Sequence, residues 1–236
     1  MFAAHSDTVL SIDAIDDLLI SSSKDKTIKL WKLKEKDSSY QLIGTFTGHL
    51  ESVGCVALAP KTTSFFISGS VDKSIKVWSL KQAMKTFQKQ KKILPKKKEA
   101  LEISNALRSI YAHEKDINAV KFAPNEKIFA SASQDRTIKV IYLKLYVLII
   151  FFKIWDSSTF SAKLILRGHK RGVWDIAFSP MEKLLVSSSG DSTLKIWNLV
   201  DGSCLNSLEG HNGSVLKVNW ICYGLEIVSG NTFIRP

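Results

Sequence analysis

The sequence predicts an all-β chain assembled from a repeated four-stranded unit, and three observations carry that prediction. All five histidines, His5, His49, His113, His169 and His211, open similar segments, and three follow glycine directly, at Gly48, Gly168 and Gly210. A block rich in strand-forming residues recurs as SSSKDKTIKLW to Trp31, SGSVDKSIKVW to Trp78, SASQDRTIK to Lys139 and SSSGDSTLKIW to Trp197. Its aspartate precedes its tryptophan by six residues in the complete copies, Asp25/Trp31, Asp72/Trp78 and Asp191/Trp197. Self-similarity at a fixed period marks a repeat architecture.

The unit opened by His169 shows the strands most plainly. VWDIAFSP alternates apolar residues, LLVSSS is a short buried run, TLKIWNL alternates again, and SCLNSLEG leads to the next Gly-His. Turn residues separate the four, so each reads as a strand. Extended along the chain, this gives repeats at about 5–47, 48–112, 113–167, 168–209 and 210–236, with no long segment of helical period.

Successive histidines are 44, 64, 56 and 42 residues apart, so the second and third repeats carry insertions. The first insertion, 81–108, holds most of the excess charge. The chain is +11, and Lys81 to Lys98 supplies eight lysines and no acid, leaving +3 for the rest. Lys89, Lys91, Lys92, Lys96, Lys97 and Lys98 are therefore candidate contacts for an anionic partner such as RNA. The run reads equally as a nuclear address or as a solvated loop, because it lacks the interleaved aromatics of a base-reading surface. Its continuation, EALEISNALRSI, predicts a short amphipathic helix ahead of a last strand at 109–112.

The second insertion is Val140 to Lys153, VIYLKLYVLIIFFK. Removing these 14 residues joins Lys139 to Ile154-Trp155, restoring the six-residue aspartate-to-tryptophan spacing and a 42-residue period. The segment is read as a retained intervening sequence translated in frame. A long hairpin and a partner-docking strand are the alternatives, and an exposed apolar β-prone stretch is an aggregation hazard.

These repeats resemble WD repeats, although the dipeptide itself survives only at Trp155-Asp156. The resemblance implies a β-propeller of four blades and a partial fifth, an incomplete part of a seven-bladed ring. It also implies a buried chain of hydrogen bonds in each blade: His5, Ser21, Asp25 and Trp31; His49, Ser68, Asp72 and Trp78; His113, Ser131, Asp135 and Trp155; His169, Ser187, Asp191 and Trp197. Ser, His and Asp together invite a catalytic-triad reading, but recurrence once per blade assigns them to scaffolding. On this reading the protein is not an enzyme and takes no cofactor, metal or small-molecule substrate.

Wording between the blades is more specific. YAHEKDINAVKFAPNEKIFASASQDRTIK, RGHKRGVWDIAFSPMEKLLVSSSGDSTLKIWNL and LEGHNGSVLKV resemble the second propeller of the transducin beta-like family of small-subunit processome components, the U3 small nucleolar ribonucleoprotein-associated particle. That resemblance implies a scaffold in the nucleus and nucleolus. Its expected partners are other processome WD-repeat subunits and pre-ribosomal RNA or the small nucleolar ribonucleoprotein. Lys170 and Arg171, beside His169, are candidate contacts. A substrate receptor or signalling adaptor binding a peptide on the propeller face is the competing reading.

The remaining composition narrows the classes. Cys55, Cys204 and Cys222 form no disulfide framework and no C-x-x-C pair. The longest apolar run, Leu145 to Phe152, has eight residues, too few to span a bilayer, and no basic region precedes an apolar core at the N-terminus. The sequence therefore predicts a soluble intracellular chain, away from membranes, and its ragged ends read as a piece of a longer protein.

Overall fold

The computed structural model describes residues 4–34, 39–93, 100–142 and 162–231. It is built mainly from antiparallel meanders of successive strands. The chain divides into two compact bodies, one ending at Ile117 and one beginning at Asn118.

The first body holds two repeats. Repeat one comprises β1 (Val9–Ile15), β2 (Leu18–Ser23), β3 (Ile28–Leu33) and β4 (Tyr40–Phe46). Repeat two comprises β5 (Val53–Leu58), β6 (Phe65–Ser70), β7 (Ser74–Ser79) and, after the insertion, β9 (Arg108–Tyr111). Between the two sheets lies one apolar cluster that includes Ile20, Leu30, Phe46, Val56, Phe66 and Trp78. Phe46 meets Phe66 edge-on with centroids 4.8 Å apart, and Phe66 stacks on Trp78 at 6.0 Å. Every residue of β6 is buried, so this strand is covered on both faces and its small residues, Ser68, Gly69 and Ser70, are needed for fit.

The insertion after β7 is more ordered than its composition suggests. Leu80–Ile93 forms a helix, α1, within an otherwise strand-built chain, so the first part of the lysine-rich insertion is helical and not a loop. Ser79 caps it, its Oγ accepting a bond from the Gln82 amide at 3.0 Å. Leu80 and Ala83 are buried in the core, and Met84 and Phe87 pack beside them, an i, i+3, i+4, i+7 stripe overlooked among the lysines.

The expected helix at EALEISNALRSI is also corrected. Leu101–Ile103 forms a strand, β8, which pairs in parallel with β4 as a fifth strand of repeat one. Gly44 makes this possible, because a Cβ there would sit 3.3 Å from the Leu101 carbonyl oxygen.

The second body contains β10 (Ile117–Phe122), β11 (Ile128–Ser133), β12 (Thr137–Tyr142) and β13 (Ala162–Arg167) as repeat three. Repeat four is β14 (Val173–Phe178), β15 (Leu184–Ser189), β16 (Leu194–Asn198) and β17 (Cys204–Leu208). Two further strands, β18 (Val215–Ile221) and β19 (Glu226–Asn231), begin a fifth repeat. Core residues Ala130, Val140, Leu166, Ile176 and Trp197 lie between repeats three and four, and Ala177, Val186, Val215 and Val218 between four and five.

Repeat three differs from the expected register. Val140, Ile141 and Tyr142, taken from sequence as the start of an insertion, are the end of β12 and pair with β11. Ile141 sits opposite Phe129, the place held by Trp31 opposite Leu19, Trp78 opposite Phe66 and Trp197 opposite Leu185. Trp155, expected there, lies outside the described residues together with most of 140–153.

Candidate functional site

The recurrent polar residues meet in three repeats with nearly the same geometry. The β1–β2, β5–β6 and β14–β15 pairs carry the serine inward, the following turn carries the aspartate, and the third strand carries the tryptophan. In repeat two, the Trp78 indole N–H donates to Ser68 Oγ at 2.9 Å. Indole N–H only donates, so Ser68 Oγ accepts from it and keeps its own proton and second lone pair for His49 Nε2, 2.7 Å away. His49 Nδ1–H then donates to Asp72 Oδ2 at 2.8 Å.

Repeat one repeats this with Trp31, Ser21, His5 and Asp25 at 3.0, 2.8 and 2.8 Å. Repeat four does so with Trp197, Ser187, His169 and Asp191 at 2.8, 2.8 and 2.9 Å. In repeat three His113 and Ser131 are buried, and Asp135 accepts the Thr137 hydroxyl at 2.6 Å. Ile141, in the tryptophan's place, has no side-chain N–H.

Two sets of partners were missed in the sequence although the signal was present. One is the hydroxyl residue two after each aspartate, Thr27, Ser74, Thr137 or Thr193, which donates its amide and its hydroxyl to the carboxylate. The D-x-[ST] pattern was visible in all four blocks. These bonds close an Asx turn, with the intervening residue held left-handed at Lys26, Lys73, Arg136 and Ser192. The other is Ser229, whose Oγ lies 2.7 Å from His211 Nε2 at the same 18-residue separation as His169 and Ser187.

Glycine before the histidine has a steric reason. Gly168 has φ +152°, and a Cβ there would approach the Trp197 ring to 3.3 Å. The loop thus lies directly over the indole that the histidine serves.

Electrostatics follow from these bonds. Burial is the largest single influence on Asp25 and Asp191 and would raise their pKa. The opposing bonds from Thr27 and His5, and from Thr193, His169 and the Lys170 amide, together win and hold each near about 2. Asp72 is held lower still by His49, Ser74 and the Leu50 amide, against the same burial. Burial pushes the His169 imidazole below its ordinary value, against the pull of Asp191. The serines are buried behind the indoles, so their hydroxyls cannot meet a substrate. What the arrangement does chemically is fasten the loop before repeats one, two and four to the second and third strands of each.

Other carboxylates stitch neighbouring sheets. Asp13 Oδ2 accepts the Leu58 amide at 2.7 Å within the first body, and Asp175 Oδ2 the Val218 amide at 3.4 Å within the second. Trp220, whose indole donates to the Ala177 carbonyl at 3.1 Å, serves the same purpose.

Residues 1–32, 40–79, 104–141 and 160–198 match the family model described as WD domain, G-beta repeat. The chain belongs to the WD-repeat family. Its third match ends at residue 141, inside β12, which runs from Thr137 to Tyr142. Among curated WD-repeat relatives, U3 small nucleolar RNA-associated protein 13 of Saccharomyces cerevisiae is 33% identical over 182 residues, 75% of this chain and 19% of the relative. Transducin beta-like protein 3 of Homo sapiens is 35% identical over 172 residues, 72% of this chain and 19% of the relative. Nuclear distribution protein nudF 2 of Aspergillus clavatus is 34% identical over 121 residues, 49% of this chain and 25% of the relative. The chain therefore spans about a fifth to a quarter of these proteins' lengths.

The described candidate contacts of this WD-repeat chain fall on α1 and beside the tetrad residue His169. Lys89 is exposed on α1, and Lys91 and Lys92 continue its backbone. Lys96, Lys97 and Lys98 lie outside the described residues. Lys170 and Arg171 are exposed, and the Lys170 amide donates to Asp191 Oδ2 at 2.8 Å. Among the described residues no helix is long and apolar enough to cross a membrane, and no group of three or more His, Cys, Asp or Glu is placed to hold a metal ion.

Proposed function

We propose that this chain is a non-enzymatic scaffold of the nucleolar small-subunit processome, supporting pre-ribosomal RNA processing and small-subunit assembly. The observation that carries the reading is the coverage of nearly three quarters of the chain by relatives named for U3 small nucleolar RNA association and as transducin beta-like protein 3. Supporting it, the Ser–His–Asp groups are spent internally on fastening loops, which leaves the sheet edges, loops and basic insertion as the working surface. The partners are other WD-repeat subunits and pre-ribosomal RNA or the U3 particle, in the nucleus and nucleolus.

Depletion of the protein tests this. The reading expects uncleaved ribosomal RNA precursor to accumulate. Normal precursor levels together with capture of a ubiquitin-ligase adaptor or a signalling subunit would favour the adaptor reading instead.

A further inference from the structure

The basic insertion begins as a fixed platform and not as a tether. α1 is docked by Leu80, Ala83, Met84 and Phe87, and its first turn is held by the Leu80 and Lys81 amides, which donate to the Ser64 carbonyl at 2.9 and 3.2 Å. On the far side of the insertion the chain is pinned again, by β8 pairing with β4 and by the Leu107 amide donating to the Val77 carbonyl at 2.8 Å. The face of α1 turned away from the core carries exposed Lys81, Gln82, Lys85, Gln88 and Lys89.

Lys81, Lys85 and Lys89 are four residues apart, so they form one ridge with a charge about every 6 Å along the axis. The run from Lys81 to Lys98 has no acid to neutralise them. The described part of this face has no exposed apolar side chain. Protein interfaces centre on apolar and aromatic residues and are depleted of lysine, so the ridge does not suit a folded protein partner. It suits a polyanion contacted along its length by point charges. No aromatic on the face offers a base a stacking surface, so recognition would be of phosphates and independent of sequence.

We propose that the Lys81–Lys85–Lys89 ridge of α1 binds the phosphate backbone of RNA. This rests on the processome reading for the choice of RNA and deepens it by placing a direct contact on this helix.

The test compares the purified full chain with K81Q/K85Q/K89Q, using a fluorescein-labelled RNA hairpin of arbitrary sequence between about 50 and 200 mM salt. Removing three phosphate contacts is expected to reduce the slope of log affinity against log salt by about 2 to 3 and to weaken binding at least tenfold at low salt. K81R/K85R/K89R keeps the charges and is expected to bind as the wild type does. K121Q/K127Q/K183Q, which removes three exposed lysines of the second body, is expected to stay within twofold. Equal losses in the two glutamine triples, or an unchanged slope in the helix triple, would overturn the proposal. Binding of polyglutamate in preference to RNA would assign the ridge to an acidic protein segment instead. Processome subunits still captured by the helix triple from cells would separate failure of this contact from failure of the scaffold reading.

Discussion

Ile141 lies opposite Phe129 in repeat three, at the register position where the other complete repeats place tryptophan. The 14 residues from Val140 to Lys153 begin inside that third strand and, in sequence, stand between Lys139 and the Ile154-Trp155 pair that the repeat pattern supplies. Deleting them would bring Trp155 into the place of Ile141, with an indole N–H for Ser131 and a larger buried ring. Such a deletion should raise stability by about 1–3 kcal/mol. Thermal unfolding of the two chains checks this, and a lower midpoint for the deletion would show that the strand ending at Tyr142 is the better fit.

The tetrads should behave as coupled units. Ser68→Ala leaves the Trp78 indole and His49 without the hydroxyl that joins them, at a cost of about 1–3 kcal/mol. Replacing both Ser68 and His49 should cost less than the sum of the single changes, because the second removes a group already stranded. A double-mutant cycle by urea denaturation measures the coupling; strict additivity would mean that the serine and histidine contribute independently.

Acid should loosen the fold through the aspartates. Asp25 and Asp191 have folded pKa values of about 2, below the ordinary 3.8, so the unfolded chain binds protons more readily. Their contribution is complete above about pH 5 and is lost as pH falls through about 2, at roughly 2 kcal/mol each. His169, depressed by burial, acts with the same sign beginning below its ordinary 6.5. Denaturation at stepped pH should show stability falling through this range, and D25N/D191N should flatten the curve between about pH 4 and 2.

Crowding at Gly44 should govern the insertion. Gly44→Val places a branched side chain where a Cβ already approaches the Leu101 carbonyl to 3.3 Å. The variant is expected to release β8 from β4 and speed hydrogen exchange at Leu101–Ile103 at least tenfold, leaving the amides of β6 protected. Unchanged exchange at β8 would show that repeat one accommodates the side chain.

Much of this was legible in the sequence for a physical reason. A buried serine, histidine and aspartate need partners at fixed distances, so the repeat cannot drift, and the spacing displays the sheets directly. Asp72 and Trp78 are six apart because one turn and one strand separate them. Elsewhere the signal was local and weak. The stripe Leu80, Ala83, Met84 and Phe87 is interrupted by lysines that dominate composition, and the three residues of β8 have partners more than 50 positions earlier in the chain. Ile141 was misread because the tryptophan pattern outweighed a strand that any β-branched residue can complete. The carboxylate straps at Asp13 and Asp175 depend on which strands become neighbours, which no short window reveals.

The most direct measurement of the central claim is sequencing of RNA captured with the tagged full chain after crosslinking in cells. The scaffold account predicts enrichment of U3 small nucleolar RNA and of ribosomal precursor over untagged cells. Recovery of the folded chain with neither RNA enriched would contradict it.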